Sequence, residues 1–214
     1  MRLLEILWLE IDRLLVALDG LEGVAKVRAR MAQVADLRQH DMKRLSNTPR
    51  CGFLDEALGA VDAPLALRLA QAIGQADLYW ESYDAYASDT IGPHFPHRHA
   101  YASLIADADP TWARDIDIGF LLIAPNTLYR DHHHPASELY VPLTGPSRWR
   151  FGTDQSWITR QAGEAVWNPP NQVHATWVGD VPLLCLYVWT EGVLLPASVD
   201  FSADWKEIEE KQNR

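Results

Sequence analysis

The segment Tyr129-Arg-Asp-His-His-His-Pro-Ala-Ser-Glu-Leu-Tyr140 concentrates three imidazoles, one carboxylate and two phenols in a short stretch of chain. Alternate side chains of an extended strand share a face, so His132 and His134 are expected to point one way and His133 the other. We interpret His133 as a structural or surface residue. The pair on the other face indicates one side of a metal site.

A turn or bulge is predicted at Pro135, after which Glu138 and Tyr140 can share a face again. Two imidazoles and a returning carboxylate form a partial ligand shell for a divalent metal such as Zn, Fe, Mn, Co or Ni. The run Asn168-Pro-Pro-Asn-Gln-Val-His174 is rich in turn residues and leads into a strand, so it can supply another imidazole. The predicted metal ligands are His132, His134, Glu138 and His174.

The chain around these residues has a period of two. From position 115 onward Ile116, Ile118 and Phe120 alternate with Asp115, Asp117 and Gly119. Short apolar or alternating runs then follow one another to Glu191, separated by turn clusters. Many short strands at this spacing predict a barrel or sandwich, which we place at residues 111–193.

Before the strands the period is helical. Apolar residues recur at three- and four-residue spacing from Leu3 to Leu18, and similar patterns run from Val24 to Leu45 and from Pro64 to Leu78. We interpret Ser88–Pro110 as a connector with a short helix at Tyr101–Ala108. Residues 1–110 are thus a predicted helical region packing on the barrel. Residues 194–214 are a predicted tail with one helix that packs Trp205.

Composition excludes several classes of protein. The chain has 214 residues and a formal net charge of -10, which argues against nucleic acid and anionic membranes as partners. Charged residues interrupt the apolar amino terminus before any signal peptide or membrane span could form, so a cytoplasmic location is expected. The two cysteines, Cys51 and Cys185, are far apart in sequence and are expected to be buried thiols.

These motifs resemble those of the cupins, whose patterns are G-x5-H-x-H-x3-4-E-x6-G and G-x5-P-x-G-x2-H-x3-N. The residues in step with the patterns are His132, His134, Glu138, Gly145, Gly163, Pro169 and His174, whereas Asn126, Asn171 and Val178 replace Gly, Gly and Asn. The resemblance implies an α+β protein, with a C-terminal cupin β-barrel, a small jelly roll, preceded by the helical region. It implies the same four metal ligands, and a homodimer is one candidate assembly because cupins often pair.

The helices-then-barrel order and the tyrosines beside the ligands resemble the cupin-type dimethylsulfoniopropionate lyases. That resemblance implies a carbon–sulfur lyase that removes the α-proton of a small carboxylate and releases dimethyl sulfide and acrylate. A metal ion near a phenol lowers its pKa, so a tyrosine can serve as the base. Tyr140 is our first choice and Tyr129 the assistant or carboxylate holder, although the roles can be exchanged.

A sulfonium group favours aromatic faces. The candidate substrate-binding residues are Trp149, Trp167, Trp177, Tyr187 and Trp189. For any single tryptophan among them, a place in the core is the commoner outcome. Arg148, Arg150 and Arg160 are interpreted as solvated charges at the barrel edge rather than as a carboxylate site.

Other readings fit the same residues. Cupins with this ligand set include iron-dependent dioxygenases and metal-dependent isomerases, and a non-catalytic ligand-binding cupin is a third alternative. His94, His97 and His99 can form a second metal site, but Pro93 and Pro96 favour an irregular surface loop or pocket lid. A surface or structural role is expected for His40.

Overall fold

The computed structural model describes residues 3–33, 52–82, 90–105 and 115–212. Within these residues the helices are α1 (Leu3–Ala17), α2 (Val24–Met31), α3 (Leu54–Gly59), α4 (Leu67–Gln75) and α5 (Trp205–Gln212). The apolar stripe of α1 is buried through Leu7, Ile11 and Leu14, and this helix packs against α4. The predicted helical period of the first segment is therefore confirmed.

The strands follow in chain order as β1 (His99–Ile105), β2 (Ile116–Ile123), β3 (Leu128–His133), β4 (Ser137–Pro142), β5 (Ser147–Arg150), β6 (Ile158–Arg160), β7 (Val166–Asn168), β8 (His174–Val178), β9 (Leu183–Thr190) and β10 (Ser198–Val199). They form two five-stranded antiparallel sheets. We call β1-β2-β9-β4-β7 the helix-facing sheet and β10-β3-β8-β5-β6 the tail-facing sheet. The α+β class and the order of helices followed by a cupin barrel are confirmed.

The helix-facing sheet has two buried faces. Its outer face packs against the helices in one apolar cluster, which includes Ile116, Ile118, Phe120, Leu139, Val141, Leu186 and Val188. Its inner face meets the tail-facing sheet in a second cluster, which includes Leu121, Tyr129, Tyr140, Trp149, Cys185 and Tyr187. The space between the two sheets is the barrel interior.

One predicted helix is a strand. Over 101–105 the expected Tyr101–Ala108 helix is wrong, because His99–Ile105 forms β1 and pairs with β2. The segment alternates between the barrel interior and the helices, and the prolines that precede it masked this period of two. Both β1 and β10 lie outside the predicted barrel range 111–193, since each extends a sheet through backbone hydrogen bonds.

Other boundaries also differ. The predicted Val24–Leu45 helix ends at Met31, and its part beyond residue 33 lies outside the described residues, as do His40 and Cys51. Pro64 lies in the turn that precedes α4 rather than in its first turn, and α3 was not predicted. The assignment of the helices to a unit of their own stays a prediction.

The C-terminal tail contains the predicted helix, α5. The side chain of Trp205, at the start of α5, is 7% exposed and packs on the tail-facing sheet near Leu128. Cys185 is a buried free thiol, as predicted. Among the described helices, none combines the length and the apolar character that crossing a membrane requires.

Candidate active site

The four predicted ligands meet in the barrel interior. His132 on β3 lies directly opposite His174 on β8, His134 follows β3, and Glu138 projects from β4 of the other sheet. One nitrogen from each of the three imidazoles lies within 4.8 Å of the other two. None of the four residues is more than 2% exposed. Residues from both sheets thus form one buried cluster.

Backbone carbonyls fix how the imidazoles are protonated. The Nδ1 atoms of His132, His134 and His174 lie 2.8, 2.9 and 2.8 Å from the carbonyl oxygens of Arg130, Ala136 and Gln172, respectively. A carbonyl oxygen can only accept a hydrogen bond, so each Nδ1 carries a proton. In the neutral rings each Nε2 therefore keeps a lone pair, which is the form that binds a metal ion.

The carboxylate of Glu138 lies among these lone pairs. Its Oε2 atom is 3.0 Å from Nε2 of His134 and 3.3 Å from Nε2 of His174. Trp189 donates from Nε1 to the other oxygen at 2.6 Å. Burial by itself raises the pKa of Glu138, but the interactions with His134 and then with His174 outweigh it and hold the pKa well below its usual range. The carboxylate is ionised.

This donor set fits a divalent metal ion. A carboxylate oxygen and an imidazole lone pair both accept hydrogen bonds, so contact at about 3 Å needs a positive charge between them. Nε2 of the buried His174 finds no hydrogen-bond partner among the described residues. Burial and the neighbouring imidazoles also hold the pKa of His132 well below its usual value, which keeps that ring neutral. Nitrogen and oxygen ligands of this kind accept most first-row divalent ions.

Tyr140 lies next to the cluster on the face of β4 that carries Glu138. Its hydroxyl is close enough to Glu138 for the two groups to affect one another's ionisation, and its ring centroid lies 6.2 Å from that of His174 and 5.2 Å from that of Trp149. Burial, followed by the charge of Glu138, raises the pKa of Tyr140 well above 10. The phenol is therefore neutral as long as no positive charge lies beside it.

Tyr129 reaches the cluster because β3 is irregular. The register between β3 and β8 shifts between Tyr129 and His132, and this bulge lets two residues three positions apart face the same side. The ring of Tyr129 stacks on that of His132 at 4.0 Å and on that of Phe95 at 3.9 Å. Strict alternation would have put Tyr129 and His132 on opposite faces.

The turn before His174 is tied to the cluster through its backbone. Asn171 stands where the cupin pattern has glycine, and its φ of 60° lies in the left-handed region that asparagine tolerates. Its N–H donates to the carbonyl oxygen of His134 at 2.8 Å. Asn126, the other replaced glycine, has a φ of 52°. Both asparagines thus adopt the left-handed conformation that glycine, the residue of the cupin pattern, adopts readily.

Three of the predicted substrate-binding residues lie in or beside the barrel interior. Trp149 is buried against Tyr140, and the ring of the half-buried Trp189 packs on that of His134 at 4.2 Å. Tyr187 lies opposite Tyr140 on the neighbouring strand. The interior therefore offers aromatic faces beside the cluster.

The other two are outside the interior, which corrects their prediction. Trp167 packs with the helices beneath Lys26, and Trp177 lies under Arg148 on the outer face of the tail-facing sheet. In β7 and β8 their neighbours point inward, so strand alternation turns both tryptophans outward. Without the register of each strand the sequence could not separate inward from outward tryptophans.

The histidines of the connector do not form a second metal site. His97 is exposed in a 3₁₀ turn at Phe95–His97, whereas His99 is buried in β1. Nδ1 of His99 lies 2.6 Å from the carbonyl oxygen of Phe95, and the two rings stack at 4.0 Å. Among the described residues, His132, His134 and His174 form the one histidine group suited to a metal.

Several residues near the cluster were missed or misread in the sequence. The missed residues are Phe95, Ser103, Asp117 and Asn168, and a period of two was the available signal for Ser103 and Asp117. Arg150 was expected in solvent, yet it is 1% exposed and forms ion pairs with Asp131 and Asp204. Trp205 also donates to Asp131, which directly precedes His132. The tail thus contacts the strand that carries His132.

Two curated proteins are similar to this chain in sequence. The chain is 28% identical over 134 residues to the putative dimethylsulfoniopropionate lyase DddL of Cereibacter sphaeroides, covering 62% of this chain and 53% of the relative. It is 30% identical over 107 residues to the dimethylsulfoniopropionate lyase DddQ of Ruegeria pomeroyi, covering 49% and 51%. The chain therefore spans about half the length of the curated relatives it matches.

Solved structures share the fold. A structure of the lyases RdDddP and RnDddQII superposes with a TM-score of 0.69 at 16% identity, covering 93% of this chain and 98% of that one. DddQ of Ruegeria pomeroyi gives 0.55 at 22% identity, covering 91% and 98%. The sequence profile of the dimethylsulfoniopropionate lyases matches residues 23–185. Because this match spans well over half of the chain, the protein belongs to the dimethylsulfoniopropionate lyase family.

Proposed function

We propose that this chain cleaves dimethylsulfoniopropionate to dimethyl sulfide and acrylate by β-elimination. The observation that carries the proposal is the convergence of three Nε2 lone pairs and an ionised carboxylate beside the hydroxyl of Tyr140, in a member of this family. Two relatives named as lyases for this substrate support the choice of substrate.

In this proposal His132, His134, Glu138 and His174 would hold one divalent metal ion near the carboxylate of the substrate. The bound ion supplies Lewis acidity at that carboxylate, and its positive charge lowers the pKa of a neighbouring phenol. The backbone carbonyls at each Nδ1 keep the rings oriented. The buried surroundings exclude bulk water from the reacting atoms.

Tyr140 is the base of the proposed reaction. As a phenolate, the form that a bound divalent ion would favour, its oxygen accepts the proton from the carbon next to the carboxylate, and the electron pair of that C–H bond forms the double bond of acrylate. The bond between the β-carbon and sulfur breaks, and sulfur leaves with that electron pair as neutral dimethyl sulfide. Tyr129, stacked on His132, holds the carboxylate or assists in this step.

Aromatic faces accommodate the sulfonium group in this proposal. Trp149, Tyr187 and Trp189 line or adjoin the barrel interior near Tyr140. Cation–π contacts contribute about 0.5–2 kcal/mol each, depending on how far the cation is desolvated. Together they favour a cationic group over a neutral one of equal size.

The test is release of dimethyl sulfide into the headspace from purified, metal-replete protein given dimethylsulfoniopropionate. We expect release by the wild type and a loss of at least about 100-fold in His134→Ala, because that variant lacks one predicted ligand. Bound metal is measured on the same samples by elemental analysis. The expected loss of metal in the variant ties the two readouts together.

His97→Ala is the matched control, since it removes an imidazole that is exposed outside the barrel interior. This variant should keep wild-type activity and metal content. No dimethyl sulfide from metal-replete wild type would reject the proposed reaction. Full activity in His134→Ala would reject the role of the metal.

A further inference from the structure

Strand register brings a third acidic residue to the inner face of the helix-facing sheet. Asp117 on β2 lies opposite Trp189 on β9, and Trp189 lies opposite Glu138 on β4. Neighbouring strands are about 4.8 Å apart, so the backbones of Asp117 and Glu138 are separated by about 10 Å with Trp189 between them. The three side chains form one rung of the inner face.

Two hydroxyl groups hold Asp117. Tyr187 donates from its hydroxyl to Oδ1 at 3.0 Å, and the hydroxyl of Ser103 on β1 is close enough to lower the pKa of this carboxyl group. The hydroxyls of Ser103 and Tyr187 are 2.6 Å apart. The carboxyl group is thus fixed from two strands.

Gly119 allows this arrangement. A Cβ atom at that position would lie 2.4 Å from the carbonyl oxygen of Ala102 and 2.8 Å from Cα of Ser103. Any side chain there would push β1 away from β2. Because Gly119 has no side chain, β1 can approach β2 closely, and Ser103 lies near Tyr187 and Asp117.

A negative charge on Asp117 has no positively charged partner inside the described part of the chain. Burial raises its pKa from 3.8 to about 7, although the hydrogen bonds from Tyr187 and Ser103 lower it. No basic side chain among the described residues forms an ion pair with it. Asp117 is half-buried, and an ionised carboxylate that is partly removed from water is costly unless a positive charge is supplied. A cationic ligand would supply that charge.

Glu138 is not available to bind the cationic end of a ligand, because its carboxylate lies among the histidines and accepts a hydrogen bond from Trp189. Asp117 is the acid on the same rung that stands clear of the cluster, on the other side of the Trp189 backbone. A cation in front of it would contact an aromatic ring and a carboxylate together. That combination distinguishes a cationic group from a neutral one of equal shape.

We propose that Asp117, held by Ser103 and Tyr187, recognises the positively charged end of the ligand whose carboxylate binds at the histidine cluster. Asp117 is thus a specificity-determining residue rather than a proton carrier. The inference rests on the proposed function for the identity of the ligand. It extends that function by assigning recognition of the cation to a carboxylate as well as to aromatic rings.

The test compares two probes of equal shape and different charge. One is β-alanine betaine, a carboxylate with a quaternary ammonium end; the other is its carbon isostere, in which a quaternary carbon replaces the nitrogen. Calorimetry gives the dissociation constant of each for metal-replete wild type and Asp117→Asn. We expect the wild type to prefer the cation, and the preference to fall about tenfold in the variant, equivalent to about 1.4 kcal/mol.

Asp180→Asn is the control, because it removes the same charge from an exposed turn. It should keep the wild-type preference, as should Asp117→Glu in part, since glutamate restores the charge. Equal binding of the two probes by the wild type, or an unchanged preference in Asp117→Asn, would overturn the assignment. Dimethyl sulfide release by the wild type is measured separately, so the lyase reaction and the role of Asp117 can fail independently.

Discussion

The two faces of the helix-facing sheet are built from the same strands and serve different ends. The outer face is apolar and packs on the helices through residues such as Ile116, Ile118, Phe120, Leu139 and Val188. The inner face carries Asp117, Glu138, Tyr140, Tyr187 and Trp189. Successive residues of one strand therefore alternate between the face that packs on the helices and the face that lines the barrel interior.

The two faces contribute to the free energy of folding with opposite signs. Packing against the helices removes apolar surface of the outer face from water, and this burial stabilises the fold by about 25 cal/mol for each Å². The inner face buries a carboxylate, a carboxyl group and phenols, each of which costs free energy unless it is bonded. Packing of the helices against the sheet thus offsets part of the cost of the buried polar groups.

Tyr140→Phe should have the largest effect on catalysis. It removes one hydroxyl from the inner face, and loss of a positioned base lowers kcat by about 10²–10⁴-fold. The melting temperature and the metal content should stay close to those of the wild type. Release of dimethyl sulfide and calorimetric melting measure the two. An active Tyr140→Phe would point to Tyr129 as the base.

Leu139→Ala, one residue earlier, should show the opposite pattern. Leu139 is fully buried against the helices, so truncation should lower the free energy of unfolding by about 2–5 kcal/mol. Denaturant unfolding measures the loss. The folded fraction should turn over normally at low temperature. A large fall in kcat at full folding would mean that the two faces are coupled.

Trp189→Phe should weaken metal binding about tenfold, because it removes the donor to Glu138 and keeps an aromatic ring. Competition with a chelator measures the affinity. Trp177→Phe is the matched control on the outer face of the other sheet, where the ring lies under Arg148. Equal effects of the two substitutions would contradict the separation of inner and outer tryptophans.

Asp117→Asn should stabilise the fold in a pH-dependent way. The folded protein holds this proton up to about pH 7, whereas the unfolded chain releases it near 3.8, so ionisation costs the wild type stability as the pH rises between these values. The variant's advantage should grow over that range and reach on the order of 1–2 kcal/mol, since partial solvent contact reduces the full effect. Thermal melting from pH 4 to pH 8 at constant metal content measures it. A constant difference would show that the carboxyl group is not buried in solution.

Much of the site could be predicted from local pattern. His132, His134, Glu138 and His174 stand at spacings that β-strand alternation and one turn can bring together, and the structure places them in one cluster. The apolar period of α1 and the helix at Trp205 were equally predictable from the sequence. These features depend on residues close in sequence, where geometry is nearly fixed by backbone conformation.

The rest depended on partners distant in sequence. The alternation at Asp117 showed two faces of a strand but not which one faces the barrel interior. Helices cover the apolar face, so the polar face is the inner one. The same uncertainty explains why Trp167 and Trp177 were assigned to the interior.

The sequence by itself determined which donor groups form the cluster, because residue type and short spacing are local properties. It also determined the class of fold, because hydrophobic period separates helices from strands. Tertiary structure decided that a bulge aims Tyr129 at His132 and that Tyr187 and Ser103 hold Asp117. Register and layer packing are set by contacts between strands far apart in the chain, and no local pattern encodes them.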